Sequence, residues 1–126
     1  MAKKKIETNN APEPAGAYSK GLIAGNMVFV AGQIGKNPAT GKIESDTIEG
    51  QTEQVMKNVE AVLKAAGASL DDVVKTTAHI DDISKAKAFN EVYKKFFKEP
   101  LPVRTTVGSQ LIPGVQVEVD VIAVKE

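Results

Sequence analysis

The chain contains no cysteine and no tryptophan, a single histidine, and only 5% aromatic residues. Without cysteine there is no disulfide, no thiolate nucleophile and no thiolate metal site. One imidazole and no thiol do not supply the ligand set of a zinc enzyme, so no zinc site is expected. An excess of charge of either sign is also missing: 16 basic residues balance 16 acidic ones. A dedicated nucleic-acid binder needs a basic excess or a basic stripe, so nucleic acid is not the expected partner. Long apolar runs are absent as well. The longest, residues 27–31, is far too short to span a bilayer. Lys3, Lys4 and Lys5 resemble the start of a signal peptide, but IETNNAPEP follows in place of an apolar stretch. A soluble cytoplasmic protein with no membrane partner is expected.

What is present fits one globular domain over residues 1–126, with 42% hydrophobic and 25% charged residues. Valine, isoleucine, leucine and alanine must build its core. Pro12 and Pro14 make residues 9–16 extended. Gly25-Asn26 is a turn between two apolar runs and predicts a hairpin within residues 22–34. Residues 37–41, NPATG, predict a second turn. Over residues 47–66 the apolar period becomes helical, with Asp46 and Glu49 resembling a capping box and Gly67 at the C-terminal end. Residues 71–80, rich in valine and threonine, predict a strand. Ser84 is the expected N-cap of a second helix running to Phe97, with Phe89, Val92, Tyr93 and Phe96 on one face. Residues 103–107 and 115–124 are the last strands. The order strands, helix, strand, helix, strands predicts an α/β (α+β) fold: a mixed sheet with both helices on one face. Alternation in the last strand sends Val115, Val117, Val119, Val121 and Ala123 to the core. Gln116, Glu118, Asp120, Ile122 and Val124 take the other face, half polar and half apolar. Such a face commonly packs on another subunit, so an oligomer is expected.

Two charges interrupt these strands. Arg104 lies in PVRTTV and Glu118 in VQVEVDVIAV. A charge among β-branched neighbours must reach solvent or find a partner. A guanidinium beside a carboxylate could hold a small carboxylic acid and position a water. From position alone, a surface ion pair is the commoner role for Arg104, and a solvated or lysine-paired carboxylate is equally open for Glu118. Asp120, on the same face, is a competitor for any role of Glu118. Tyr18 in AGAYSKG reads as a loop tyrosine packing its ring on the sheet. His79 lacks an orienting partner at a recognisable spacing and reads as non-catalytic. Lys20 reads as a loop lysine without an apolar shell, hence no Schiff-base former. AGQIG (31–35) lacks the spacing of a dinucleotide loop.

Taken together, AGAYSKG (15–21), VFVAGQIG (28–35), AAGASLDDVVKTT (65–77), FNEVYKKFF (89–97), PVRT (102–105) and VEVDVIAV (117–124) resemble, in order and spacing, the RidA/YjgF family, also labelled endoribonuclease L-PSP. The resemblance covers nearly the whole chain. It implies a chorismate-mutase-like fold and a homotrimer with ligand pockets between subunits. It also implies a hydrolase acting on C=N bonds, a 2-iminobutanoate/2-iminopropanoate deaminase. Such enzymes turn reactive enamines and imines of the 2-aminoacrylate type into 2-keto acids and ammonia, without cofactor, downstream of PLP-dependent dehydratases. By the resemblance, Arg104 grips the substrate carboxylate and Glu118 holds the attacking water. Tyr18 closes the pocket, Thr106 offers its backbone N–H, and Gly32 borders the ligand.

The chain departs from the family pattern where Ala17 replaces a proline, where Thr106 replaces a common cysteine, and in the 108–114 segment. Two further functions compete with deamination: a regulatory trimer that binds 2-keto acids without turnover, and an RNA-cleaving translation inhibitor. The pairing of Arg104 with Glu118 favours the enzyme over the sensor. Zero net charge disfavours RNA cleavage.

Overall fold

The computed structural model describes residues 2–126. Its elements are β1 (Lys3–Lys5), β2 (Gly21–Ala24), β3 (Met27–Ile34), β4 (Lys36–Asn37), β5 (Lys42–Ile43), α1 (Ile48–Ala65), β6 (Val73–Ile80), α2 (Ala86–Tyr93), β7 (Val103–Gly108) and β8 (Val117–Val124). Six strands form one sheet in the order β1-β2-β3-β8-β6-β7, and β4-β5 is a separate ribbon. Only β6 and β7 are parallel; every other pairing is antiparallel. The sheet is therefore mixed, as the element order predicted, and α2 makes the crossover that a parallel pair requires. The β2–β3 hairpin turns at Gly25-Asn26, with Ala24 opposite Met27. Among the described residues no helix is long and apolar enough to cross a membrane.

Both helices lie on one face of the sheet. Val55, Met56, Val59, Val62 and Leu63 are fully buried on the inner side of α1, the outcome of apolar residues at helical spacing. Their counterparts on the sheet are the odd-numbered residues of β8, all buried, while its even-numbered residues are half-buried. Phe89 from α2, with no exposed surface, completes the core. The opposite face of the sheet carries no helix. Met27 and Phe29 lie there, each 36% exposed, directly opposite Val124 and Ile122.

Several expected boundaries shift, while the expected helix end at Gly67 holds. Thr47, not Asp46, caps α1: its side chain accepts the Gly50 N–H at 3.1 Å, and Asp46 stays outside. At the far end Gly67 adopts φ +78°, which an L side chain resists. Its N–H reaches the Lys64 carbonyl at 3.0 Å and that of Ala68 reaches Leu63 at 2.9 Å, closing a Schellman end. Ser84 is not the cap of the second helix. The Asp82 carboxylate is the better acceptor and takes both the N–H (3.0 Å) and the hydroxyl (2.7 Å) of Ser84. A 3-10 turn over Ile83–Lys85 results, so α2 starts at Ala86 and gives way at Lys94 to a second 3-10 turn. Finally, β8 begins at Val117 because the Gln116 N–H is taken by Gln51 Oε1 at 2.8 Å instead of a neighbouring strand.

Gln51 is a buried polar link between α1 and the approach to β8. Its amide also donates to the carbonyls of Ser45 and Gly114, both at 3.0 Å. Gln51→Leu keeps the volume but leaves three backbone groups without their partner. A loss of about 2–4 kcal/mol in urea unfolding is expected. A loss under about 0.5 kcal/mol would mean that water replaces the amide.

Candidate functional site

Glu118 sits near the start of β8 on the open face, between Ile34 of β3 and His79 of β6. The register of β3 against β8 slips between Val30 and Gln33. This bulge brings the Gly32 backbone over the Glu118 side chain. A Cβ at Gly32 would collide with the Glu118 carboxylate and lie 2.9 Å from its Cδ. Glycine is required here for close approach and not for its dihedral freedom. Among the described residues no cation pairs with Glu118. Asp120, opposite Thr77, differs: burial pushes its carboxyl up, and His79 and Lys75 pull it part of the way back. His79 itself is oriented, through Nδ1, by the Ser109 hydroxyl at 2.9 Å.

Tyr18 is 52% exposed, and its hydroxyl accepts the Ala15 N–H at 3.3 Å. It shares a small recess with Pro14, Lys20, Gly32 and Ile34. Tyr18, Gly32 and Glu118 therefore form one neighbourhood. Lys20 corrects the reading of an unshielded loop lysine. It is only 3% exposed. Its ammonium donates to the carbonyls of Thr8 (2.6 Å) and Ala11 (3.1 Å) and pairs with Glu13 at 2.9 Å. The proline-containing loop folds back over it and satisfies all three donors, so Lys20 anchors the segment leading to Tyr18.

Arg104 and Thr106 form a second neighbourhood, on the other face. Arg104 pairs with Thr76 and Thr106 with Ala78, both buried on the helix side. Arg104 is the chain's only arginine and is itself exposed. Its guanidinium carbon lies 4.7 Å from the centre of the Tyr93 ring and 5.5 Å from that of Phe89. Among the described residues no carboxylate pairs with it. β7 is the last strand of the sheet. Ser109 donates its N–H inward to the Ile80 carbonyl at 2.8 Å. By alternation the N–H groups of Arg104 and Thr106 point outward, to the free edge. The Thr106 hydroxyl is buried and has no partner.

One chain does not bring Arg104 and Glu118 together. β6 lies between their strands, roughly 10 Å across the sheet plane, and they face opposite sides. Neither neighbourhood lines the cleft of about 1010 Å³ between the β4–β5 ribbon and residues 113–116. No group of three or more His, Cys, Asp or Glu residues able to hold a metal occurs among the described residues. His79 opposite Glu118 and Tyr93 under Arg104 are neighbours that sequence reasoning missed. Tyr93 was legible only as part of an apolar helix face, and strand register is not readable from spacing.

A family model described as Endoribonuclease L-PSP matches residues 8–125. A RutC family protein of Pyrococcus horikoshii is 45% identical over 98% of this chain and 99% of its own. The chloroplastic Reactive Intermediate Deaminase A of Arabidopsis thaliana is 42% identical over 98% of this chain and 66% of its own. A 2-iminobutanoate/2-iminopropanoate deaminase of Dermatophagoides farinae is 39% identical over 98% of each. The crystal structure of a Yersinia pestis protein of the conserved Rid family superposes with TM-score 0.93 at 42% identity, covering 98% of this chain and 99% of that one.

The cradle under Gly32 can be tested directly. In Gly32→Ala the obstructing atoms belong to a flexible side chain, so the fold should survive with a Tm drop under about 5 °C. A crystal structure should show Glu118 swung to a different rotamer. Glu118 left in place, with the β3 backbone displaced instead, refutes the cradle.

Proposed function

The chain belongs to the endoribonuclease L-PSP family, which includes the RutC and RidA proteins, and on that premise we propose that it is a 2-iminobutanoate/2-iminopropanoate deaminase. The observation that carries this reading is the state of Arg104. The only guanidinium of the chain lies over aromatic rings at a free sheet edge, with no carboxylate paired to it among the described residues. Its planar fork suits an external carboxylate held by two parallel hydrogen bonds. The outward N–H of Thr106 is a further donor beside it.

The site forms between two copies. The free β7 edge of one subunit, bearing Arg104 and Thr106, docks near the open face of the next, bearing Glu118, Gly32 and Tyr18. Three such contacts close a homotrimer of chorismate-mutase-like architecture, with the sheets inside and the helices outside. Support comes from the uncovered apolar positions: Met27, Phe29, Ile122 and Val124 on the open face, and Val103, 67% exposed, on the edge strand.

The chemistry asks little of the protein. A protonated 2-imino acid is already an electrophile at C2. Arg104 fixes its carboxylate, and Glu118 takes a proton from water as the oxygen bonds to C2. The resulting carbinolamine loses ammonia when the proton returns from Glu118 to nitrogen, the C–N bond breaks, and the freed Glu118 carboxylate takes the carbinol O–H proton as the C=O bond forms, leaving the 2-keto acid; that proton then leaves with the ammonia as ammonium. No electron transfer occurs, and no cofactor takes part. PLP-dependent dehydratases, sharing the cytoplasm, would supply the enamines and imines. RNA cleavage would need a basic track and an acid–base pair, and the chain offers zero net charge and one histidine.

Light scattering at micromolar concentration should give about 40 kDa, three times the 13.4 kDa chain; a monodisperse monomer overturns the interfacial site. Supplied with imine from a threonine dehydratase, the wild type should accelerate 2-ketobutyrate formation. Arg104→Ala should lose this while remaining trimeric, since breaking such a charge pair costs about 2–5 kcal/mol. Arg104→Lys should also be poor, because an ammonium lacks the fork. Glu118→Gln should still bind 2-ketobutyrate yet turn over about 10²–10⁴-fold more slowly. Binding without turnover in the wild type itself would identify a regulator instead of an enzyme.

A further inference from the structure

Arg104 reaches its position through a chain of contacts that begins in the core. The Thr76 hydroxyl, fully buried, meets the Tyr93 hydroxyl at 2.8 Å. Tyr93 is 7% exposed, and its ring lies between those of Phe89 (5.2 Å between centres) and Phe97 (4.9 Å). The ring is thus pinned at its hydroxyl end and along its sides. Arg104 sits 4.7 Å above it, on the strand position directly paired with Thr76. A free arginine has many rotamers to lose when it binds an anion. One already stacked on a fixed ring has fewer.

We propose that Tyr93, clamped by Thr76, is the positioning residue of the carboxylate clamp: its ring sets the plane of the Arg104 guanidinium and aims the edge donors at the incoming carboxylate. This rests on the proposed binding of a 2-imino acid at Arg104. With one guanidinium face covered by the ring, a carboxylate must approach edge-on, the geometry that permits two parallel hydrogen bonds. The shelf acts on binding and not on water activation, so it affects KM and leaves kcat at saturation little changed.

The test compares Tyr93→Phe, Tyr93→Leu and Thr76→Val, with 2-ketobutyrate as the binding probe and dehydratase-generated imine as substrate. Tyr93→Phe keeps the ring and loses the hydroxyl; Tyr93→Leu loses both. Tyr93→Leu should raise the 2-ketobutyrate Kd and the KM by about tenfold, with kcat within about twofold. Tyr93→Phe should restore both constants to within about threefold of wild type, although it too lacks the bond to Thr76. Thr76→Val frees the hydroxyl end of the ring while keeping the size of the side chain paired with Arg104 and should weaken binding about two- to fivefold. It covers the case in which Tyr93→Leu does not fold. A merely structural role predicts that Kd in folded protein is unchanged in all three variants, whatever their Tm. That result, or Tyr93→Phe binding as weakly as Tyr93→Leu, overturns the proposal. A wild type that neither binds 2-ketobutyrate nor hydrolyses imine removes the functional reading and the inference with it. A competent wild type with an indifferent Tyr93→Leu removes the inference alone.

Discussion

Strand β8 lies between β3 and β6 at the centre of the sheet, and its odd residues are buried against the helices. Period two then obliges Glu118, Asp120, Ile122 and Val124 to face the side that no helix covers. A one-residue slip would bury two carboxylates and expose four core positions, so the register is strongly held. Everything else about the site depends on this. Glu118 is on the open face because Val117 and Val119, with no exposed surface, cannot be. The bulge in β3 then decides what stands over it: Gly32, with no Cβ to displace the carboxylate.

The edge strand β7 follows a different logic. It is parallel to β6 and reached through α2, so Arg104 meets the aromatic residues of that helix. Edge strands expose unpaired backbone groups, which other chains can use. Here β7 carries the outward backbone N–H of Thr106 and, two residues earlier, a guanidinium over the Tyr93 ring. The two neighbourhoods sit on regular strands of one sheet, one central and one at a helix-backed edge. What separates them is the sheet itself.

Much of the fold was legible in the sequence. The hairpin at Gly25-Asn26, the helical period of residues 47–66, the end at Gly67 and the alternation of residues 115–124 are local patterns, set by turn chemistry and by the periods of helix and strand. Where the reading missed, hydrogen-bond competition decided. Thr47 and not Asp46 caps α1, and Asp82 captures Ser84. Lys20 was misjudged because its acceptors are carbonyls of Thr8 and Ala11, and any residue can supply a carbonyl.

By itself, the sequence determined the element order, the inward face of β8, and the family to which the chain belongs. Tertiary structure alone decided that Gly32 lies over Glu118, that His79 stands opposite it, that Tyr93 lies beneath Arg104, and that Arg104 and Glu118 occupy opposite faces of one sheet. The reason is physical. Periodicity acts within one element and is written in consecutive residues. Register, crossover and stacking arise between elements far apart in the chain, where packing and hydrogen bonding choose among arrangements that local sequence permits equally.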